Sequence, residues 1–139
     1  MDREAEIILN MEEFPAFVDK VLRDLKNDST VKPIWFVGSR PNHSVNLESD
    51  WDFLVFCKKK PNPRPRVHEK VDIIRVGPSG CLRVDDMSAP TTNIADWNWK
   101  EISPTIAEYT GKRPLYEENE VRNTFDPLYE RPLLKGYLV

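Results

Sequence analysis

Two cysteines, two histidines and five glycines in 139 residues are few, and each shortage excludes something. Cys57 and Cys81 stand apart in apolar segments, without the clustered spacing of a zinc site. They read as reduced core thiols rather than the frame of a disulfide scaffold. His43 lies in a polar loop of Asn, Ser and Val with no recognisable partner, so it reads as a surface residue rather than a proton carrier. No apolar run approaches the length of a membrane span. The acidic start Met1-Asp-Arg-Glu-Ala-Glu6 is unlike a signal peptide. The expectation is a soluble, cytoplasmic protein with no membrane partner. A basic excess is lacking too: 20 Lys and Arg face 23 Asp and Glu, a net charge of −3. That argues against a protein that coats nucleic acid, although it allows a local basic patch.

What the chain does have is the length for one hydrophobic core. One domain over 1–139 is expected, with its core at about 12–111 and a C-terminal extension over 112–139. Phe14, Phe17, Val18, Val21, Leu22 and Leu25 recur with the spacing of an amphipathic helix. Pro15 falls in its first turn and Asn27-Asp28-Ser29 ends it. Before it, Glu6-Ile-Ile-Leu-Asn10 fits a short strand or an earlier helical turn equally well.

The informative stretch runs from Pro33 to Cys57. An apolar strand, Ile34 to Val37, breaks at Gly38-Ser39; a polar loop follows, and a second apolar strand runs from Trp51 to Cys57. Side chains alternate across a strand, so Asp50 and Asp52 share one face while Trp51, Phe53 and Val55 take the other. Two carboxylates held together cost free energy unless a cation sits between them, and a hard divalent ion such as Mg²⁺ suits them. Gly38-Ser39 offers a place for a polyanion, since glycine lets the backbone approach closely and serine presents both a hydroxyl and an N–H. Arg40 adds a charge suited to phosphate oxygens.

Gly38-Ser39, ten residues at 40–49, then Asp50-Trp51-Asp52 followed by Phe-Leu-Val-Phe resembles the signature of the DNA polymerase β-like nucleotidyltransferase superfamily, in particular its small single-domain minimal nucleotidyltransferases. The resemblance spans about residues 33 to 76. It implies that Gly38, Ser39 and Arg40 hold the phosphates of a nucleoside triphosphate, ATP foremost, and that Asp50 and Asp52 hold two Mg²⁺ ions. A third carboxylate on a neighbouring strand is also implied. Where the family continues Gly-Ser-x-Ala-x-Gly, this chain has Arg40-Pro41-Asn42-His43 instead.

Val71-Asp-Ile-Ile-Arg-Val76 reads as the next strand, with Asp72 flanked by apolar residues where a carboxylate needs a cation. Asp72 is therefore the expected third ligand, with Asp85 of Leu82-Arg-Val-Asp-Asp86 as its competitor. Between the strands, Lys58-Lys-Lys-Pro-Asn-Pro-Arg-Pro-Arg66 cannot be a central strand. It is either a solvated connector or an electrostatic arm for triphosphate or an RNA acceptor. Gly77-Pro-Ser-Gly80 suits a hairpin turn into a fourth strand, Cys81 to Val84. Trp97 and Trp99 read as core or subunit-interface residues before they read as a base-stacking surface. Ser103-Pro104 has the form of a helix start and Gly111 of its close. From Lys112 onward, too many large apolar residues occur for a disordered tail. That segment packs across the domain or against a second copy or partner protein.

The expected fold is α/β: a small, mixed, mostly antiparallel sheet of about four strands with helices on one face, a nucleotidyltransferase fold. The expected activity is two-metal transfer of a nucleoside monophosphate from a nucleoside triphosphate to an acceptor hydroxyl. Asp50, Asp52 and Asp72 are its catalytic and metal-holding residues, and RNA, a protein or a small molecule is its acceptor. The alternative is a non-catalytic binding module that keeps the fold, such as an antitoxin-like partner-binding protein.

Overall fold

In the computed structural model, which describes residues 14–42, 49–111, 113–114, 129–130 and 132–139, the apolar stripe forms α1 (Ala16–Lys26). The Pro15 carbonyl accepts the Val18 and Asp19 N–H groups at 3.0 Å each, so the proline sits just ahead of the first turn. Asp19 in the first turn and Arg23 and Lys26 in the last complement the helix dipole. Val18, Leu22 and Leu25 are buried on Ile34, Phe36, Phe53, Val55, Val71 and Ile73. This layer joins the helix to one face of the sheet.

The strands are β1 (Val31–Val37), β2 (Trp51–Cys57), β3 (Val71–Val76), β4 (Cys81–Val84), β5 (Thr92–Asn93), β6 (Lys100–Glu101), β7 (Ile106–Thr110), β8 (Arg113–Pro114), β9 (Tyr129–Glu130) and β10 (Leu133–Leu138). Eight of them form one sheet in the order β5-β4-β3-β2-β1-β10-β7-β6, while β8 and β9 pair separately. Every pairing in the large sheet is antiparallel except β2 with β3. A parallel pair needs a crossover of about a dozen residues. Residues 58–70 supply it as an extended segment, since Pro61, Pro63 and Pro65 preclude a helix.

The sheet must curl. Its edge strands β5 and β6 are joined by only six residues, 94–99, four of them in a short 3₁₀ turn (Ile94–Trp97). Even fully extended that connection spans about 24 Å, whereas eight flat strands spread over about 34 Å. The concave face closes on itself. Trp99 meets Trp35 edge-on at 5.3 Å, and Trp97 stacks on Tyr109 at 5.2 Å. These rings pack with Leu54, Ile74, Val76 and Leu82 as a second core. Both tryptophans are partly buried and pack against this core.

Three expectations change. The sheet has eight strands rather than about four, and among the described residues there is one α-helix rather than several. The segment expected as a helix over 103–111 is the strand β7. Ser103 does bind backbone N–H groups, accepting from Thr105 at 3.3 Å and Ile106 at 3.0 Å, but it closes a turn. A strand follows because β10 offers β7 a paired partner from Leu133↔Thr110 to Tyr137↔Ile106. Of the segment from Lys112 onward, β10 lies between β1 and β7 in the interior of the sheet. Glu6 to Asn10 and His43 lie outside the described residues. Among the described residues no helix is long and apolar enough to cross a membrane.

Candidate active site

Two parallel strands in register carry the acids. Asp52 of β2 is paired with Asp72 of β3, so both carboxylates leave the same face of adjacent strands near their N-terminal ends. Asp50, two residues before Asp52, emerges on that face as well. Trp51, Phe53 and Val55 turn toward α1, as the alternation requires.

Gly38 terminates β1 with φ +85°, where a glycine is favoured, and a Cβ there would overlap the Asp52 carboxylate. The absence of a side chain lets the backbone lie against the acid. The Gly38 N–H donates to the Tyr109 hydroxyl at 2.8 Å. Burial pushes that phenol up to about 12, and the nearby Asp52 charge adds to the effect. Asn42 holds the turn after Gly38 from the other side. Its amide donates to the Gly38 carbonyl at 2.7 Å and to the Lys135 carbonyl at 3.0 Å, and its Oδ1 accepts the Lys135 N–H at 2.8 Å.

The electrostatics follow from crowding. Burial, then the Asp72 charge and a hydrogen bond with the Asp72 carboxyl, push Asp52 up to about 8; Asp50 contributes in the same direction. Two carboxyls that share a hydrogen bond must hold a proton between them. Asp50 and Asp72 are tied to Arg66 of the crossover. One terminal nitrogen of its guanidinium lies 2.8 Å from Asp50 and 2.9 Å from Asp72. Its Nε donates to the Val71 carbonyl at 3.3 Å.

Ser39 lies in the turn beside Gly38, its carbonyl accepting the Asn42 N–H at 3.2 Å. Arg40 is engaged elsewhere than on a phosphate: its guanidinium stacks 3.5 Å over the Trp51 ring and donates twice to the Ser49 carbonyl, at 2.8 and 3.2 Å. Asp85 is not part of the cluster. It is buried, 2% exposed, and grips Arg75 with both oxygens at 2.8 and 3.1 Å.

The donor set of three carboxylates suits a hard divalent ion. Among the described residues, however, no three Asp, Glu, His or Cys side chains stand as a ready metal-holding group, and Arg66 is paired with both Asp50 and Asp72. Holding a metal at Asp50, Asp52 and Asp72 therefore requires Arg66 to leave. Arg66→Ala is expected to lower the melting temperature of the metal-free protein by about 2–5 °C at neutral pH. Millimolar Mg²⁺ should recover more of that loss than the same ion adds to the parent protein. Equal Mg²⁺ responses in a thermal melt would show that the guanidinium and the metal do not compete.

No protein-family model, curated protein or solved structure matches the chain. Asp50, Asp52 and Gly38-Ser39 stand out in the sequence by spacing, whereas Asp72 stands out by its apolar flanks and shares its place with Asp85. Arg66 is visible there only as one charge of a basic connector. Tyr109 and Asn42 carry no signal, because their partners lie 71 and 93 residues away along the chain.

Proposed function

We propose that the chain is a nucleotidyltransferase of the DNA polymerase β-like kind, moving a nucleoside monophosphate from a nucleoside triphosphate to an acceptor hydroxyl. The observation that carries this reading is the pairing of Asp52 with Asp72 on parallel strands, with Gly38, just past β1, against the Asp52 carboxylate. Asp50, Asp52 and Asp72 would hold two Mg²⁺ ions, which when bound supply positive charge to the phosphate oxygens and lower the barrier to in-line displacement. Asp72 would take the proton of the acceptor hydroxyl as its oxygen forms a bond to the α-phosphorus. The bond from that phosphorus to the β-phosphate oxygen breaks, and pyrophosphate leaves. Ser39, through its hydroxyl and N–H, would orient the β and γ phosphates. Arg40 reaches them only by giving up Trp51 and Ser49.

A second reading, a binding module that keeps this arrangement without catalysis, is favoured by the internal engagement of the same groups. The Gly38 N–H is taken by Tyr109, Arg40 by Trp51 and Ser49, and two of the acids by Arg66. Thermal melting with ATP, GTP, CTP and UTP, each with and without Mg²⁺, separates the two. A ligand at a hundred times its dissociation constant stabilises the native state by about 2.7 kcal/mol, a readily measured shift. Catalysis predicts a shift that needs both nucleotide and metal. No metal-dependent shift with any of the four nucleotides would sink the catalytic reading and leave the binding module.

A further inference from the structure

Away from the acids, the crossover segment roofs a cavity of about 300 Å³ lined by Asp28, Cys57, Lys59, Lys60, Arg64 and Arg75 among others. It lies on the other face of the sheet. Arg75 and Cys57 share the α1-facing side of their strands with Ile73 and Val55, whereas Asp52 and Asp72 face the concave side. Arg75 is also three residues further along β3 than Asp72, a rise of about 10 Å.

Four cations line this cavity against one acid, in a chain whose net charge is −3. Arg75, 5% exposed, is offset by Asp85, which leaves Lys59, Lys60 and Arg64 set against Asp28. One oxygen of the Asp28 carboxylate, Oδ1, accepts the Thr30 N–H at 2.9 Å and the Thr30 hydroxyl at 2.7 Å. The roof is anchored. Pro61 is buried against Gly77, where a Cβ would come within 2.9 Å of the proline ring. The Lys58 N–H donates to the Thr30 carbonyl at 2.8 Å. The positive charges are thus gathered on a fixed backbone, which lowers the ordering cost of binding between them.

We propose that this cavity is an anion site for a phosphate-bearing group, a phosphomonoester or a diphosphate, separate from the acidic cluster. A surplus of two positive charges matches a dianion, and the guanidinium of Arg64 has the planar donor geometry that phosphate oxygens accept in pairs. Asn62 adds neutral donors at the same wall. The volume stands at the small end of ligand pockets, which suits a phosphate with little attached to it.

The test is a titration without added metal, read by amide NMR and by alkylation of Cys57 in a Cys81→Ser background. Inorganic pyrophosphate and ribose 5-phosphate are the two probes, with sodium chloride at matched ionic strength as the control. Saturable shifts are expected at the amides of Cys57, Lys59, Lys60 and Asn62, with slower alkylation of Cys57. The stronger probe tells a diphosphate from a phosphomonoester. Lys60→Gln with Arg64→Gln changes two exposed residues and should weaken binding at least tenfold. Shifts reproduced by chloride, shifts confined to Gly38–Arg40, or affinity unchanged in the double variant would each overturn the proposal.

Discussion

Asp52→Asn is expected to abolish the proposed Mg²⁺-dependent nucleotidyl transfer while making the metal-free protein harder to melt. The loss of activity should be about a thousandfold, equivalent to about 4 kcal/mol of transition-state stabilisation. The gain in stability follows from the crowding. The folded Asp52 carboxyl titrates at about 8, pushed up by burial and then by Asp72, against about 4 in an unfolded chain. Between those values the folded protein holds a proton that the unfolded chain has released. The stability this contributes is fully present below about pH 4 and is lost as pH rises toward about 8. Asparagine does not titrate, and its amide can donate to Asp72 as the protonated acid does. The melting temperature of the variant should therefore exceed that of the parent by a margin that widens with pH, reaching several degrees, about 3–6 °C, at alkaline pH. A variant that unfolds, or whose margin narrows as pH rises, would make Asp52 a structural residue and remove the basis of the metal site.

The acid pair is legible in the amino-acid order because strand alternation is a local rule: two residues flanking one tryptophan at a strand start must share a face. The same rule sets the opposite burial of Phe53 and Val55. α1 is equally legible from the repeat of Phe14, Val18, Leu22 and Leu25. Where the sequence misleads, partners distant along the chain decide. Ile106–Thr110 carries a serine and proline ahead of it and a glycine after it, the punctuation of a helix. Yet β10 from the far end of the chain supplies its backbone hydrogen bonds, and Tyr109 thereby points at Gly38. The curl is likewise invisible locally, since it follows from the closeness in sequence of two strands that lie at opposite edges. In the crossover, three prolines announce an extended segment, but nothing in their spacing says that Arg66 reaches the acids while Lys59, Lys60 and Arg64 face a cavity.

Asp85→Ala is expected to cost about 3–5 kcal/mol in urea unfolding, more than the loss of Arg66, because it leaves the Arg75 guanidinium buried without its counter-charge. Arg75 is 5% and Asp85 2% exposed, and their two hydrogen bonds at 2.8 and 3.1 Å engage both oxygens of the carboxylate. Burying an ion pair is not itself a large gain, since desolvation offsets most of the attraction. The cost lies in breaking it from one side. Replacing both residues, Arg75→Met with Asp85→Leu, removes the charges together and should return most of the lost stability, to within about 1–2 kcal/mol of the parent. This double variant also bears on the acidic cluster, because Asp85 is the competitor of Asp72 for the third carboxylate. With Asp85 committed to Arg75, the double variant should keep its Mg²⁺-dependent response to nucleotide, whereas Asp72→Asn should lose that response with little change in unfolding free energy. If the double variant folds and loses the response while Asp72→Asn keeps it, the third carboxylate is Asp85 and the parallel pairing of Asp52 with Asp72 has no part in holding metal.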